Sequence, residues 1–432
     1  MRIQSWLNTC SSANCATATH HSTISLPKQK KHACDDSISY SSISEAPSST
    51  TSNNSTSSLE SNLSIQTLPS VPSLQSLSPQ NFTFSVSHHC VTTLTPQPSR
   101  PVTSLAVNNN LLYAATDHEI NVYDRHSCIT IHAFNTQPTS TSNSTKTITF
   151  SNNNTVITTH QDCRIRVWQN HKNIHHRMLA TLPTVNDRFR RFLLPKNYVA
   201  IRRHDKRLWI EHADAVTGLA VSKGAIYSVS WDRTLKIWRL PDFRCVESLK
   251  AHEDAVNAVA VSNDGTVYTG SADRRIRVWA RPAGEKRHVL VATLEKHKSA
   301  VNALALNDDA SVLFSGACDR SILVWEREDS ANHMVVSGAL RGHQKAILCL
   351  VNVSDLLFSG SADRTVRIWK RAYDGRFGCL AVLDGHRKPV KSLAAIPEEY
   401  DQISPKCSVS VFSGSLDGEI KVWQVSMTRF LS

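Results

Sequence analysis

VYTGSADRRIRVW, residues Val267–Trp279, decides the fold, because close copies of it run along the chain. They read AIYSVSWDRTLKIW to Trp238, VLFSGACDRSILVW to Trp325, LLFSGSADRTVRIW to Trp369 and VFSGSLDGEIKVW to Trp423. Looser copies are TVITTHQDCRIRVW to Trp168 and LLYAATDHEINVY to Tyr123. Each places an Asp six residues before its closing aromatic: Asp117, Asp162, Asp232, Asp273, Asp319, Asp363 and Asp417. Self-similarity of this kind marks an array of one supersecondary unit.

Within a unit, an apolar run (Val267, Tyr268) reaches a Gly-Ser-x-Asp turn, and a second run of period two (Ile276, Val278) ends on the aromatic. That pattern is a short antiparallel hairpin. From the third unit onward a His precedes another apolar strand, as in His252 with AVNAVAV, and a fourth run such as HVLVATL closes the unit at Leu294. Each unit is therefore a four-stranded sheet. The steps between the Asp residues are 45, 70, 41, 46, 44 and 54, mostly the length of one propeller blade.

These features resemble the WD-repeat β-propellers, with Gly-His at Gly342-His343 and Gly385-His386 and Trp at the second letter of the motif. The usual Asp after the Trp is missing, since Arg239, Ala280, Glu326 and Lys370 stand there. The expectation is an all-β fold: a seven-bladed WD-repeat β-propeller over residues 85–432, preceded by a disordered Ser/Thr-rich tail over 1–84. The resemblance implies a structural tetrad of His, hydroxyl, Asp and Trp in each late blade. Carried over, it comprises His212, Asp232 and Trp238; His252, Asp273 and Trp279; His297, Asp319 and Trp325; His343, Asp363 and Trp369; His386, Asp417 and Trp423. In the fourth blade the hydroxyl is Thr269 or Ser271. The last unit lacks its own outer strand, whereas HHCVTTL (88–94) resembles the outer run FGCLAVL (377–383), so 88–94 is expected to close the ring.

Composition bounds the rest. The first 80 residues carry 22 Ser and little apolar clustering, too little to offset the entropy of ordering them. No apolar signal core follows Met1 and no membrane span is expected. Eleven Cys without paired spacing suit a reducing compartment, so cytoplasm or nucleus is the expected location. There is no phosphate loop, nucleophile elbow or HExxH, so neither enzyme activity nor a cofactor or metal is expected.

In WD-repeat propellers, contact residues often lie three and five residues after the His and just before the turn Asp. The resemblance thereby implies a partner-binding face carrying Thr217, Asn257, Asn302, Leu348, Lys391 and Trp231, the last the only large aromatic among these positions. The 70-residue step adds an insertion, 183–211, between blades two and three. It holds Arg190, Arg191, Arg202, Arg203 and Lys206 among eight basic residues against three acidic ones, interleaved with Phe189, Phe192, Leu193, Leu194, Tyr198 and Trp209. It is expected to form an ordered cap on the His-loop face, joining Trp231 in one basic, aromatic patch for an acidic or phosphorylated protein.

Phrases such as IEHADAVTGLAV, AHEDAVNAVAVS and FSGACDRSILVWERE, with the insertion LPKNYVAIRRH, also resemble plant WD-repeat proteins of the Jingubang family. That resemblance implies a non-enzymatic plant scaffold with protein partners such as transcription regulators, acting as a negative regulator of pollen germination and tube growth. Two other readings stand beside it. One is a substrate receptor of a cullin-type ubiquitin ligase, whose Trp-Asp-x-Arg extension is absent after Trp325 (Glu326, Arg327, Glu328) and Trp238 (Arg239, Leu240, Pro241). The other is phosphate or nucleic-acid binding by the insertion, which lacks any base-reading motif.

Overall fold

The computed structural model describes residues 84–429 except 118, 136–143, 153, 172–174, 203–204, 328–333, 373–374 and 399–405. The expected tail, including the loosely spaced Cys10, Cys15, His20, His21, His32 and Cys34, lies outside the described residues.

The repeats fold into seven four-stranded antiparallel sheets. Blade one runs from Val102–Asn108 to Thr130–Phe134, blade two from Thr145–Asn152 to His175–Leu182, and blade three from Val216–Ser222 to Cys245–Lys250. Blade four spans Val256–Val261 to Val289–Leu294, blade five Val301–Leu306 to Met334–Leu340, and blade six Ile347–Val353 to Phe377–Leu383. In blade seven, Val390–Pro397, Lys406–Ser415 and Ile420–Arg429 are completed by Phe84–Leu94, which pairs with Ile420–Arg429. The first strand of every blade contacts those of both neighbours, including Val102–Asn108 with Val390–Pro397, so the ring is closed. Closure leaves no open run of unpaired strand at the seam.

Each repeat phrase has a physical reason. The Asp initiates a turn whose next residue is left-handed: Arg233 (φ 71°), Arg274 (φ 74°), Arg320 (φ 69°) and Arg364 (φ 77°). Its carboxylate holds that strained conformation by accepting the backbone N–H two residues on, at 2.9 Å from Thr234 and 3.0 Å from Arg275. The Gly of the Gly-Ser phrase makes room between blades. A Cβ on Gly316 would stand 2.5 Å from Ile347 Cγ2, and one on Gly414 would stand 2.6 Å from Val102 Cγ1. Blade three carries Val229 there instead, and the bulk is absorbed by Gly218, whose Cβ would lie 2.8 Å from Val229 Cγ2.

One feature is invisible in the alternation. The first strand of every blade slips register against the second just after its first residue, between Val216 and Gly218, Val256 and Ala258, and at equivalent points round the ring. Such a β-bulge re-aims the extra side chain. The bulged residues include Thr217, Asn257, Asn302, Leu348 and Lys391.

Candidate partner-binding surface

The tetrads form in blades three to six. His212 Nδ1 donates to Asp232 at 2.9 Å, the Ser228 hydroxyl bonds His212 Nε2 at 2.8 Å, and Trp238 Nε1 donates to Ser228 Oγ at 2.9 Å. The same chain runs Asp273–His252–Thr269–Trp279, Asp319–His297–Ser315–Trp325 and Asp363–His343–Ser359–Trp369. Blade four therefore uses Thr269, while Ser271 donates to Ala255 O at 2.9 Å. Burial alone would raise the carboxyls of Asp273 and Asp319, but their hydrogen bonds from His252 and His297 outweigh it and hold both near 2. Burial pushes the His212 imidazole down, so that pair is a neutral His donating to an ionised Asp232. Every polar atom in the chain is matched, which makes it a strut.

Blade two has a partial version that the sequence reading did not anticipate. Trp168 Nε1 donates to Thr158 at 2.9 Å, and Thr158 bonds His160 of its own strand at 2.8 Å, while Asp162 pairs with Arg166 at 2.6 Å. In blade seven Trp423 and His386 both reach Ser413, at 2.8 and 2.7 Å, but the bond from His386 to Asp417 is missing. That is a departure from the expected tetrad.

On the central face the bulged residues have a structural task as well. The bulge turns Thr217, Asn257 and Asn302 sideways, where they donate to the next blade at Val256 O (2.6 Å), Val301 O (3.0 Å) and Ile347 O (2.8 Å). Asn302 and Leu348 are buried. Lys391 is half-buried at its bulge, and its charge, after burial itself, helps push Lys146 of blade two down to about 8. Trp231 is half-buried, its Nε1 donating to Asn257 Oδ1 at 3.3 Å. Thr217, Asn257, Asn302 and Trp231 thus also bind blade to blade.

The insertion is fastened to blade three through its helix and its hairpin. Thr184 caps helix α1 (Val185–Phe192), its hydroxyl accepting Asp187 N–H at 3.2 Å. The buried Asp187 carboxylate accepts the N–H of Cys245 at 3.1 Å and pairs with Arg191. Arg191 donates to Cys245 O at 3.3 Å and lies 5.0 Å from the Trp209 ring centre. Arg188 pairs with Glu211 at 3.0 Å, and a short hairpin, Tyr198–Arg202 with Asp205–Leu208, returns the chain to the ring. Cys245 opens the outermost strand of blade three, whereas Trp231 bonds to an innermost strand. Helix α1 therefore grips the rim, while Arg207 of the hairpin donates to His212 O at 3.3 Å in the His loop of blade three.

On that rim the cap displays a wet apolar surface. Val185 is 81% exposed, Phe189 67% and Leu193 72%, with Phe192, Leu194, Val199 and Ile201 exposed as well. Phe189 and Phe192 pack ring to ring at 5.3 Å. Arg190, Lys196 and Lys206 are exposed among them, while Arg191 belongs to the anchor. Arg203 and the Arg202 side chain lie outside the described residues. Among the described residues no helix is long and apolar enough to cross a membrane.

A model of the family described as "WD domain, G-beta repeat" matches residues 205–239, 243–280, 288–326, 334–370 and 377–424, blades three to seven. Similar proteins include an uncharacterized WD repeat-containing protein of Schizosaccharomyces pombe, 38% identical over 74 residues, 16% of this chain and 14% of that one. Small ribosomal subunit protein RACK1y of Oryza sativa subsp. japonica is 38% identical over 68 residues, covering 16% of this chain and 20% of its own. Mitochondrial division protein 1 of Schizosaccharomyces pombe is 34% identical over 70 residues, 16% of this chain and 11% of its own. The matched segments thus span at most 20% of these relatives, and the likeness is one of repeats. With the tetrads, the Asp turns and the closed ring of seven sheets, they establish that this chain is a WD40-repeat protein.

Proposed function

We propose that this chain is a non-enzymatic interaction scaffold whose main docking surface is the rim cap, and that its partner is an acidic, amphipathic protein segment. The observation that carries the proposal is the exposure of Phe189 and Leu193, at 67% and 72%, on a helix whose other side is fastened through buried Asp187. Apolar surface held in water returns about 25 cal/mol per Å² when a partner covers it. A large exposed patch of this sort marks an interaction site. Arg190, Lys196 and Lys206 around it select a negatively charged occupant and raise its encounter rate.

The cytoplasm or nucleus is the compartment proposed for this role, with transcription regulators among the partners. The Jingubang-like blade phrases support a plant regulator, and restraint of pollen germination and tube growth is the activity that likeness would carry. The repeated His–Asp pairs give no ground for catalysis, because Ser and Trp use up their remaining hydrogen-bonding capacity.

The test is affinity purification with mass spectrometry from plant cells, comparing the intact chain with Phe189→Ser/Leu193→Ser and with Arg190→Glu/Lys206→Glu. One common set of proteins should disappear from both, with melting temperatures unchanged. An unaltered partner list would move the docking surface off the cap. Retention abolished by nuclease, with a log–log salt slope near −0.7 to −0.9 per phosphate contact, would instead favour nucleic acid.

A further inference from the structure

Blade seven repeats the tetrad residues but opens the contact at its centre. In blades three to six the His–Asp distance is 2.8–2.9 Å. His386 keeps its Nε2 bond to Ser413 at 2.7 Å, yet its Nδ1 and the facing Asp417 Oδ2, both shut off from water, have no hydrogen-bond partner. His386 is 5% exposed. Two unpartnered polar atoms in so buried a place are costly unless something binds both.

The sequence changes at the same point. Two residues after the turn Asp, blades three to six carry Thr234, Arg275, Ser321 and Thr365, whereas blade seven carries Glu419, as blade one carries Glu119 without a tetrad His or Trp. One ligand atom each from His386, Asp417 and Glu419 lies within 4.8 Å of the others. We propose that these three residues bind one divalent transition-metal ion, Zn²⁺ foremost, at the seam where the ring closes.

The donor set supports that chemistry. One imidazole nitrogen and two carboxylates suit zinc and its neighbours, whereas calcium and magnesium take oxygen donors alone. With Nδ1 on the ion, Nε2–H donates to Ser413, a second-sphere bond that fixes the ligating tautomer. Asp384 adds negative charge nearby, and Lys421, the opposing cation, donates from Nζ to Thr93 Oγ1 at 3.2 Å.

The location supplies a role. Ser99 N–H donates to Asp417 O at 3.2 Å, and a Cβ on Gly418 (φ 91°) would stand 2.6 Å from Gln97 O. Residues 97–100 follow the closing strand directly. An ion on Asp417 and Glu419 would stiffen the turn against which that segment rests, so binding to the folded state would strengthen ring closure.

The experiment uses the full chain, stripped with chelator, titrated with ZnCl₂ by calorimetry and followed by thermal melting. The variants are Glu419→Thr, the residue of blades three and six, and the isosteric Glu419→Gln. Wild type should bind zinc at this site and melt higher with it; both variants should bind at least tenfold more weakly there and lose the shift. Co²⁺ absorption should show no thiolate charge-transfer band, which separates this site from one built on Cys10, Cys15 and Cys34. Equal affinity in wild type and both folded variants, a thiolate band accounting for all binding, or no zinc-dependent melting shift would each overturn the proposal.

Discussion

At the scale of single residues, the hydroxyl at the hub of each tetrad carries more than its size suggests. Ser359 joins His343 to Trp369, so Ser359→Ala strands an imidazole nitrogen and an indole N–H in the core. At about 1–3 kcal/mol for each of the two stranded groups, the variant should lose roughly 2–6 kcal/mol in urea unfolding. Asp363→Asn should also destabilise, by about 2 kcal/mol, because it weakens a charge-assisted bond. The matching Asp417→Asn, measured without metal, has no bond from His386 to lose and keeps an amide oxygen for Ser415 and the Glu419 N–H, so it should cost clearly less; equal losses at both positions would contradict the open contact in blade seven. Acid acts on residues as well. Burial first, then the charge of His132, pushes His176 down to about 4 where it stacks on Phe134 at 4.3 Å. Unfolded, that imidazole takes a proton near 6.5, so between 6.5 and 4 the unfolded chain binds more protons and stability falls with pH. Urea midpoints at pH 7.5, 6 and 5 should decline, and His176→Phe should flatten the decline.

At the scale of elements, the cap depends on one buried carboxylate. Asp187 joins α1 to the outer strand of blade three, so Asp187→Ala leaves Arg191 and Cys245 N–H without that partner. Hydrogen exchange should rise by at least tenfold in 185–208, with exchange in blades four to six unchanged and partner capture reduced. The cap was partly legible in the sequence. Aromatics interleaved with arginines pointed to an ordered element, but nothing in their spacing told which side α1 would bury. The fastening rests on Asp187, which in sequence is only one charge among many. On the central face the alternation hides a second local feature. Counting five residues from the His assumes regular alternation, and the bulge gives Thr217, Asn257 and Asn302 to the neighbouring blade. Thr269 and Ser271 stand two apart and so share a face, which is why alternation alone could not choose between them.

At the scale of the whole molecule, the array was readable because each blade repeats the same local solutions: an Asp-held left-handed turn, a small residue facing the next blade, and a Trp closing the tetrad. Blades one and two were weakest in sequence because they satisfy the same needs differently, with Tyr123 in place of Trp and His160 arriving from within its own strand. Closure joins distant parts of the chain. Phe84–Leu94 takes the outer place of blade seven beside Ile420–Arg429, and Val102 fills the space left by Gly414 between blades seven and one. Because every blade leans on two neighbours, weakening that seam should reach them all. Deleting 85–96 should lower the melting temperature of the entire ring in a single transition and expose Ile420–Arg429 as an edge prone to aggregate. Deleting 1–75, which removes no strand of any blade, should leave the melting temperature within about 2 °C, since surface changes stay near ±0.5 kcal/mol. Separate melting of blade seven in the shorter chain would show that the closing strand stabilises only its own sheet.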